Sequence, residues 1–323
     1  MVMAQSLFKT LLRNDASAQI DVLAPGWSRP ILEAMPEVNQ AIDMPVGHGM
    51  LQLKVRKALA AALKKNAYDW AIVLPNSLKS ALIPWFANIP KRTGWRGEMR
   101  YGLLNDLRRL DKRVFPLMVQ KYVGLAYSKD ITPAQFDCPA PALQPGPQHI
   151  SEAMQAFDLD KARPVLALCP GAEFGRAKKW PEKYYAQIAA QHVAVGGQVW
   201  LFGSENDRPA CELIAQSPAA SRVKILAGET SLQQAVALMS QADQVVANDS
   251  GLMHVAAALN RPLVAIYGST SPGYTPPLSQ NHELVQARIE CSPCFKRECP
   301  YGHYRCLEEL MPERVSEALA RLP

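Results

Sequence analysis

Apolar and polar positions along this chain switch repeatedly between two periods, one helical and one extended. In the first half, QSLFKTLL sets Leu7 with Leu11 and Phe8 with Leu12, a helical spacing. QIDVLAPG (19–26) reads as a strand that stops at Pro-Gly. SRPILEAM opens a helix with Ser28 as N-cap and Pro30 in its first turn. QAIDMPV is a second short strand, and LQLKVRKALAAALKKNA is a helix rich in Ala, Leu and Lys. YDWAIVLPN is a strand, followed by SLKSALIPWFAN, a helix bent or ended near Pro84.

The second half alternates more clearly. The strands RPVLALCPG, QVWLFGS, KILAGET, QVVANDS and PLVAIYGS are separated by the helices PEKYYAQIAAQHVAVGG, DRPACELIAQS, SLQQAVALMSQAD and GLMHVAAALN. Strands spaced by helices of about 10–15 residues predict an α/β protein with parallel sheets covered by helices on both faces. Two such halves, 1–150 and 151–323, meet at residues 140–163, where PAPALQPGP reads as linker. The first half opens directly on a helix, whereas the leading strand of a doubly wound half usually lies centrally.

A chain of 323 residues can bury two cores, and 48% hydrophobic with 20% charged residues is ordinary for a soluble protein. No signal peptide is visible, so the chain is expected to be cytoplasmic with its seven cysteines reduced. Charge is uneven. Residues 1–150 carry 19 Lys and Arg against 11 Asp and Glu, a net +8, while residues 151–323 carry 16 against 18, a net −2. Either the first half meets an acidic partner or its basic surface is merely solvated.

Candidate chemistry gathers where the second half's strands end, the side on which open parallel sheets bind ligands. In NDSGLMHVAAAL, Asp249, Ser250 and Gly251 fall at a strand-to-helix junction, with His254 in the first turn. Exposed N–H groups and the helix dipole suit that junction to phosphate; the alternative is an ordinary capped helix. After the half's first strand, CPGAEFGRAKKWP places Arg176, Lys178 and Lys179 on a glycine-bearing loop. Such cations meet the charge that develops on a departing diphosphate; otherwise they are surface lysines beside a core tryptophan. FGSENDR sets Glu205 and Asp207 at a third strand end, to accept ribose hydroxyls or to serve as first-turn acids.

AKKWP, DSGLMHVAAAL and LPNSLKSALIPWFANIPKRTGWRGEMRYGLLNDLR together resemble the ADP-heptose:lipopolysaccharide heptosyltransferases of glycosyltransferase family 9, the type II members above all, over nearly the whole chain. The resemblance implies a GT-B fold, two Rossmann-like doubly wound domains facing a cleft. It implies inverting, metal-independent transfer of heptose from ADP-L-glycero-D-manno-heptose to the first heptose of the inner core, on a heptosyl-Kdo2-lipid A acceptor. No cofactor is expected. By match, Lys178 contacts the donor diphosphate, Ser250, Gly251 and Leu252 form the anion-binding N-terminus, Asp249 and His254 flank the sugar-phosphate, Glu205 takes the ribose, and Glu173 is a further donor-loop candidate. The family's catalytic base, an aspartate in a Gly-Asp loop after its first strand, matches a position upstream of Met1. No catalytic residue is therefore assigned, and the chain as written is expected to be poorly active. Heptosyltransferase I, a nucleotide-sugar epimerase and a non-catalytic lipopolysaccharide-binding protein are the alternatives.

The resemblance also gives the basic half a purpose. Nine cations lie between Lys79 and Arg113, interrupted by three acids. Lys79, Arg96 and Arg100 are the acceptor-binding candidates, with Trp95 between cations, because arginine grips carboxylates and phosphates through paired hydrogen bonds. Arg108 to Arg113 are expected to touch an anionic membrane, giving peripheral contact with the inner face of the cytoplasmic membrane. No nucleic-acid motif accompanies the patch, so nucleic acid is not an expected partner. Asp106 and Glu98 lie in the same region among arginines.

Cys291, Cys294, Cys299 and Cys306 form C-x2-C-x4-C-x6-C. Four thiolates are a donor set for structural zinc, but a zinc ribbon uses two C-x2-C pairs and this tail has one. Packed or redox-reactive thiols are the expected reading, and no metal is assigned. Cys138, Cys169 and Cys211 read as apolar fillers.

Overall fold

Short apolar runs bounded by Pro, Gly and Asn become short parallel strands in both halves. The computed structural model describes residues 1–47, 49–216 and 220–323. It divides into two units, one made of Met1, Met3–Glu33 and Glu37–Pro139, the other of Val2, Ala34–Pro36 and Ala140–Pro323. The main division thus falls at Pro139, ahead of the expected boundary at 150.

The first unit runs α1 (Gln5–Asn14), β1 (Asp21–Ala24), α2 (Arg29–Glu33), β2 (Gln40–Asp43), α3 (Leu53–Leu63), β3 (Trp70–Ile72), α4 (Leu82–Phe86), β4 (Lys91–Trp95), β5 (Asp106–Arg108) and α5 (Met118–Val123). β1 and β2 pair in parallel, Asp21 opposite Gln40. β3, β4 and β5 form a separate parallel sheet in that order, with Trp70 opposite Lys91 and Thr93 opposite Asp106. The hydrophobic pattern predicts neither β4 nor β5, because KRTGW and DLR are short, charged and without alternation. Their edges are decided by pairing, β4 with β3 and β5 with β4, which are non-local contacts. Ala60 and Leu63 pack with Ile83, Ala87 and Ile89 in one cluster, and Trp95 with Phe115 and Leu125 in another.

The second unit runs α6 (Pro147–Ala156), β6 (Val165–Cys169), α7 (Glu182–Ala194), β7 (Gln198–Leu201), α8 (Arg208–Ala215), β8 (Val223–Ile225), α9 (Leu232–Met239), β9 (Gln244–Asn248), α10 (Gly251–Ala258), β10 (Leu263–Tyr267), β11 (His282–Gln286), α11 (Arg305–Glu308) and α12 (Pro312–Arg321). Its six strands are all parallel, in the order β11-β10-β9-β6-β7-β8. Val165 to Cys169 are buried on both faces, as a central parallel strand requires. From β6 the chain steps outward to β7 and β8, then returns to lay β9 on β6's other side. That reversal opens a crevice at the carboxyl ends of β6 and β9.

The second unit also departs from the sequence reading. The expected linker contains α6, a polar helix with Pro147 at its start, in which Ala153 is buried. β11 completes the sheet beside β10, and α12, amphipathic and started by Pro312, joins the core with Val315 and Ala318. The buried Trp180 indole N–H donates to the Leu310 carbonyl at 2.8 Å, giving its polar edge a partner inside the core. The helix predicted through Ser217 closes at Ala215, and Ser217 itself lies outside the described residues. Among the described residues no helix is long and apolar enough to cross a membrane.

Candidate functional site

Asn248 braces the crevice between β6 and β9. Asn248, the last residue of β9, is fully buried. Its amide donates to the Pro170 carbonyl at 2.6 Å, and its oxygen accepts from the Trp180 N–H at 3.2 Å and the Tyr185 hydroxyl at 3.0 Å. It therefore ties both ends of the loop 170–180 to the neighbouring strand. The only sequence signal for this residue is a polar position closing an otherwise apolar run.

Lys178 stands on that loop, and its ammonium lies 2.6 Å from Asp249 Oδ2 and 3.3 Å from the Asp249 carbonyl oxygen. Only 14% of the Lys178 side chain and 4% of the Asp249 side chain are exposed. The Thr270 hydroxyl, on the segment after β10, donates to the same Oδ2 at 2.6 Å. Asp249 therefore does not cap the helix. It gathers a cation from one strand end and a hydroxyl from another. Phe174 lies beneath the Lys178 ammonium, 4.9 Å from ring centre to nitrogen.

α10 begins immediately beyond Asp249. Ser250 is its N-cap residue yet makes no side-chain cap bond, and its Oγ is buried without a protein partner. A Cβ at Gly251 meets nothing within 4 Å, so protein packing does not demand the glycine and the helix end is open there. Leu252 is half-buried. The arrangement is a helix N-terminus with open N–H groups beside a lysine, which is chemistry for an anion. Burial lowers the His254 imidazole to about 4, against a smaller opposing pull from Asp249. His254 is thus neutral at physiological pH and offers a hydrogen bond rather than a charge.

The remaining donor-side candidates spread around this point. Glu205 is exposed after β7 and lies against Gly228, whose φ of +76° suits glycine. Asp207 is not at the surface. Its burial pushes the carboxyl up, but bonds from Lys179 at 2.9 Å and from Ser204 more than offset this and hold it below the ordinary carboxylate range. Glu173 is exposed and borders a separate cavity of about 520 Å³ with Arg176, Lys179 and Tyr304, whereas Lys178 turns to Asp249.

The cysteine-bearing segment buttresses the Lys178 loop. The Ala177 N–H donates to the Arg297 carbonyl at 3.0 Å, Arg176 stacks on Tyr304 at 4.8 Å, and Arg297 lies 5.5 Å from the Phe174 ring centre. Its four cysteines are free thiols, with Cys306 buried and pushed up to about 11 by burial and by its cysteine neighbours. Among the described residues no three Cys, His, Asp or Glu side chains are grouped to hold a metal ion. Cys169 and Cys211 are buried fillers, and Cys138 is half-buried.

In the first unit the basic run separates into two kinds of residue. Arg96 is exposed and Lys79 half-buried. Arg100 is fully buried, donating to the Pro75 carbonyl at 2.7 Å and to the Trp95 carbonyl, which corrects its expected role as an acceptor contact: it shapes the loop from inside. Trp95 is likewise no surface aromatic, being 6% exposed and bonded through Nε1 to the Lys121 carbonyl at 2.7 Å. Arg108 is buried against Asp106 at 2.6 Å and so cannot meet a membrane, while Arg109, Lys112 and Arg113 are exposed. Glu98 accepts from the Leu78 N–H at 2.7 Å.

A six-stranded parallel sheet with a lysine and an open helix N-terminus at its switch point has the arrangement with which open α/β sheets hold phosphorylated ligands. The chain belongs to glycosyltransferase family 9 (heptosyltransferase), which it matches over residues 56–305. It is 51% identical to lipopolysaccharide heptosyltransferase 2 of Salmonella typhimurium and 50% identical to that of Escherichia coli K12, in each case over 100% of this chain and 94% of the relative. The solved structure of E. coli ADP-heptose lps heptosyltransferase II superposes with a TM-score of 0.89 at 47% identity, covering 99% of this chain and 94% of that one. The α/β fold is thus that of the GT-B heptosyltransferases, and the protein is a glycosyltransferase.

Proposed function

We propose that this chain transfers heptose from ADP-L-glycero-D-manno-heptose to the first heptose of the lipopolysaccharide inner core, with inversion at the anomeric carbon. The observation that carries the reading is the convergence of the Lys178 ammonium and the open N-terminus of α10 beside the β6–β9 crevice. Identity of about half to type 2 enzymes over the full chain supports the choice of acceptor.

In this reading the diphosphate draws Lys178 away from Asp249 and accepts the N–H groups of Ser250, Gly251 and Leu252, with the Ser250 hydroxyl as a further donor. Charge released onto ADP as the glycosidic bond breaks is met by donors already in place, which lowers the barrier without reorganisation. Neutral His254 and Asp249 border the sugar-phosphate, and Glu205 accepts from the ribose hydroxyls. Lys79 and Arg96 grip the carboxylates and phosphates of heptosyl-Kdo2-lipid A. Exposed Arg109, Lys112 and Arg113 favour the anionic inner face of the cytoplasmic membrane, which is where such an acceptor is presented. The test is transfer of heptose from ADP-heptose to a heptosyl-Kdo2-lipid A acceptor by the purified protein, compared with Lys178→Ala. Donor consumption that is indifferent to Lys178 sinks the site assignment, and transfer only to an acceptor lacking the first heptose sinks the acceptor assignment.

A further inference from the structure

Asp249 is held from two sides, and one of the holders, Thr270, has no part in the reading above. Oδ2 of this nearly inaccessible carboxylate accepts from the Lys178 ammonium and from the Thr270 hydroxyl, each at 2.6 Å. Thr270 is itself 8% exposed and sits just beyond β10, the strand paired with β9 through Ile266 and Asn248. The Asp249 N–H donates to the Ile266 carbonyl at 3.0 Å, so the backbones on both sides of the Asp249–Thr270 bond are fixed by the sheet. Next to Thr270, the Ser269 N–H donates to the Ala177 carbonyl at 3.1 Å, which links the same segment to the residue preceding Lys178.

A diphosphate arriving at this site brings at least two negative charges toward a buried carboxylate and takes the Lys178 ammonium from it. A carboxylate stripped of its partner in a poorly solvated place is costly, and a second fixed donor reduces that cost. From this geometry we infer that Thr270 is a positioning residue for donor binding: its hydroxyl retains Asp249 when the Lys178 ammonium turns to the diphosphate. The inference rests on the donor-site reading above. Sequence pattern gives no hint of it, because Thr270 lies 21 residues from its partner, on a different strand end.

The experiment is a double-mutant cycle on the full chain, read as affinity for ADP by calorimetry, with wild type, Thr270→Val, Thr270→Ser, Asp249→Asn and the Asp249→Asn/Thr270→Val pair. Valine keeps the shape and removes the hydroxyl, and should weaken ADP about tenfold or more, the effect of one hydrogen bond to a charged group. Serine should bind within about threefold of wild type, since it restores that hydrogen bond. In the Asp249→Asn background, Thr270→Val should change affinity by no more than about twofold, because no carboxylate is left to hold. A purely structural role would weaken ADP equally in both backgrounds, and that result overturns the inference, as does unchanged affinity in the folded Thr270→Val variant. If wild type does not bind ADP at all, the donor site is misplaced and the inference falls with it. Wild-type binding that is insensitive to Thr270 removes the inference alone.

Discussion

Lys178 and Asp249 form an ion pair of 2.6 Å between the ends of two strands that are neighbours in the sheet but 71 residues apart in the chain. Both partners are largely out of water, so the pair is neither a solvated surface contact nor a simple contribution to stability. In the proposed reading it holds a cation where the donor diphosphate would bind, to be released by exchange of one anion for another.

Replacing Lys178 with Met keeps the stem and removes the charge. Affinity for ADP should fall at least about tenfold, the effect of a lost charge-assisted hydrogen bond. Calorimetric titration decides this, and an unchanged dissociation constant removes Lys178 from the donor site.

Asn248→Ala leaves the Trp180 N–H, the Tyr185 hydroxyl and the Pro170 carbonyl without their present partner inside the core. The expected loss is on the order of 2–4 kcal/mol, seen as a lower melting temperature, together with weaker ADP binding as the loop 170–180 loosens. A variant that melts and binds like wild type contradicts the picture of Asn248 as the tie between β6 and β9.

His254 makes stability depend on pH in a stated direction. Its imidazole is held near 4 when folded, against an ordinary value of 6.5, so between those values the unfolded chain binds a proton that the folded chain refuses. Its contribution is complete above about pH 6.5 and is lost as pH falls toward 4, amounting to at most about 3 kcal/mol. His254→Gln should flatten that part of the profile. Equal loss of melting temperature in both proteins between pH 6.5 and 4.5 would show that burial does not act on this ring.

Arg96 and Arg100 should separate cleanly although four residues apart. Arg96→Ala, at an exposed site, should leave the melting temperature nearly unchanged while raising KM for the acceptor about tenfold. Arg100→Ala removes a buried guanidinium from the Pro75 and Trp95 carbonyls and should cost on the order of 2–4 kcal/mol of stability. Acceptor kinetics and thermal melts on the two variants check both statements, and the reverse assignment of effects would restore Arg100 as a contact residue.

Much of the second unit was legible because its strands are runs of buried aliphatics and its helices carry clear stops. LALC, VWL, VVAN and LVAIY all became strands of one sheet. The first unit was less legible. β4 and β5 carry charged residues, and only pairing, β4 with β3 and β5 with β4, makes them strands. The same limit applied to the arginines. A run of cations looks uniform in one dimension, yet Arg100 and Arg108 face inward to carbonyls and a carboxylate while Arg96 faces water.

By itself the chain's order of residues determined the α/β class, the positions of the strand ends, and the residue types there that suit a phosphate: a lysine on a glycine-bearing loop and Asp-Ser-Gly before a helix. These are local properties, set by periodicity, capping chemistry and backbone freedom within a few residues. Only the tertiary structure decided which ends adjoin. It placed Asn248 as the tie, Asp249 as the holder of Lys178, and Thr270 as the hydroxyl behind it. Such contacts depend on strand order and burial, and they bring together residues whose separation along the chain carries no periodic signal.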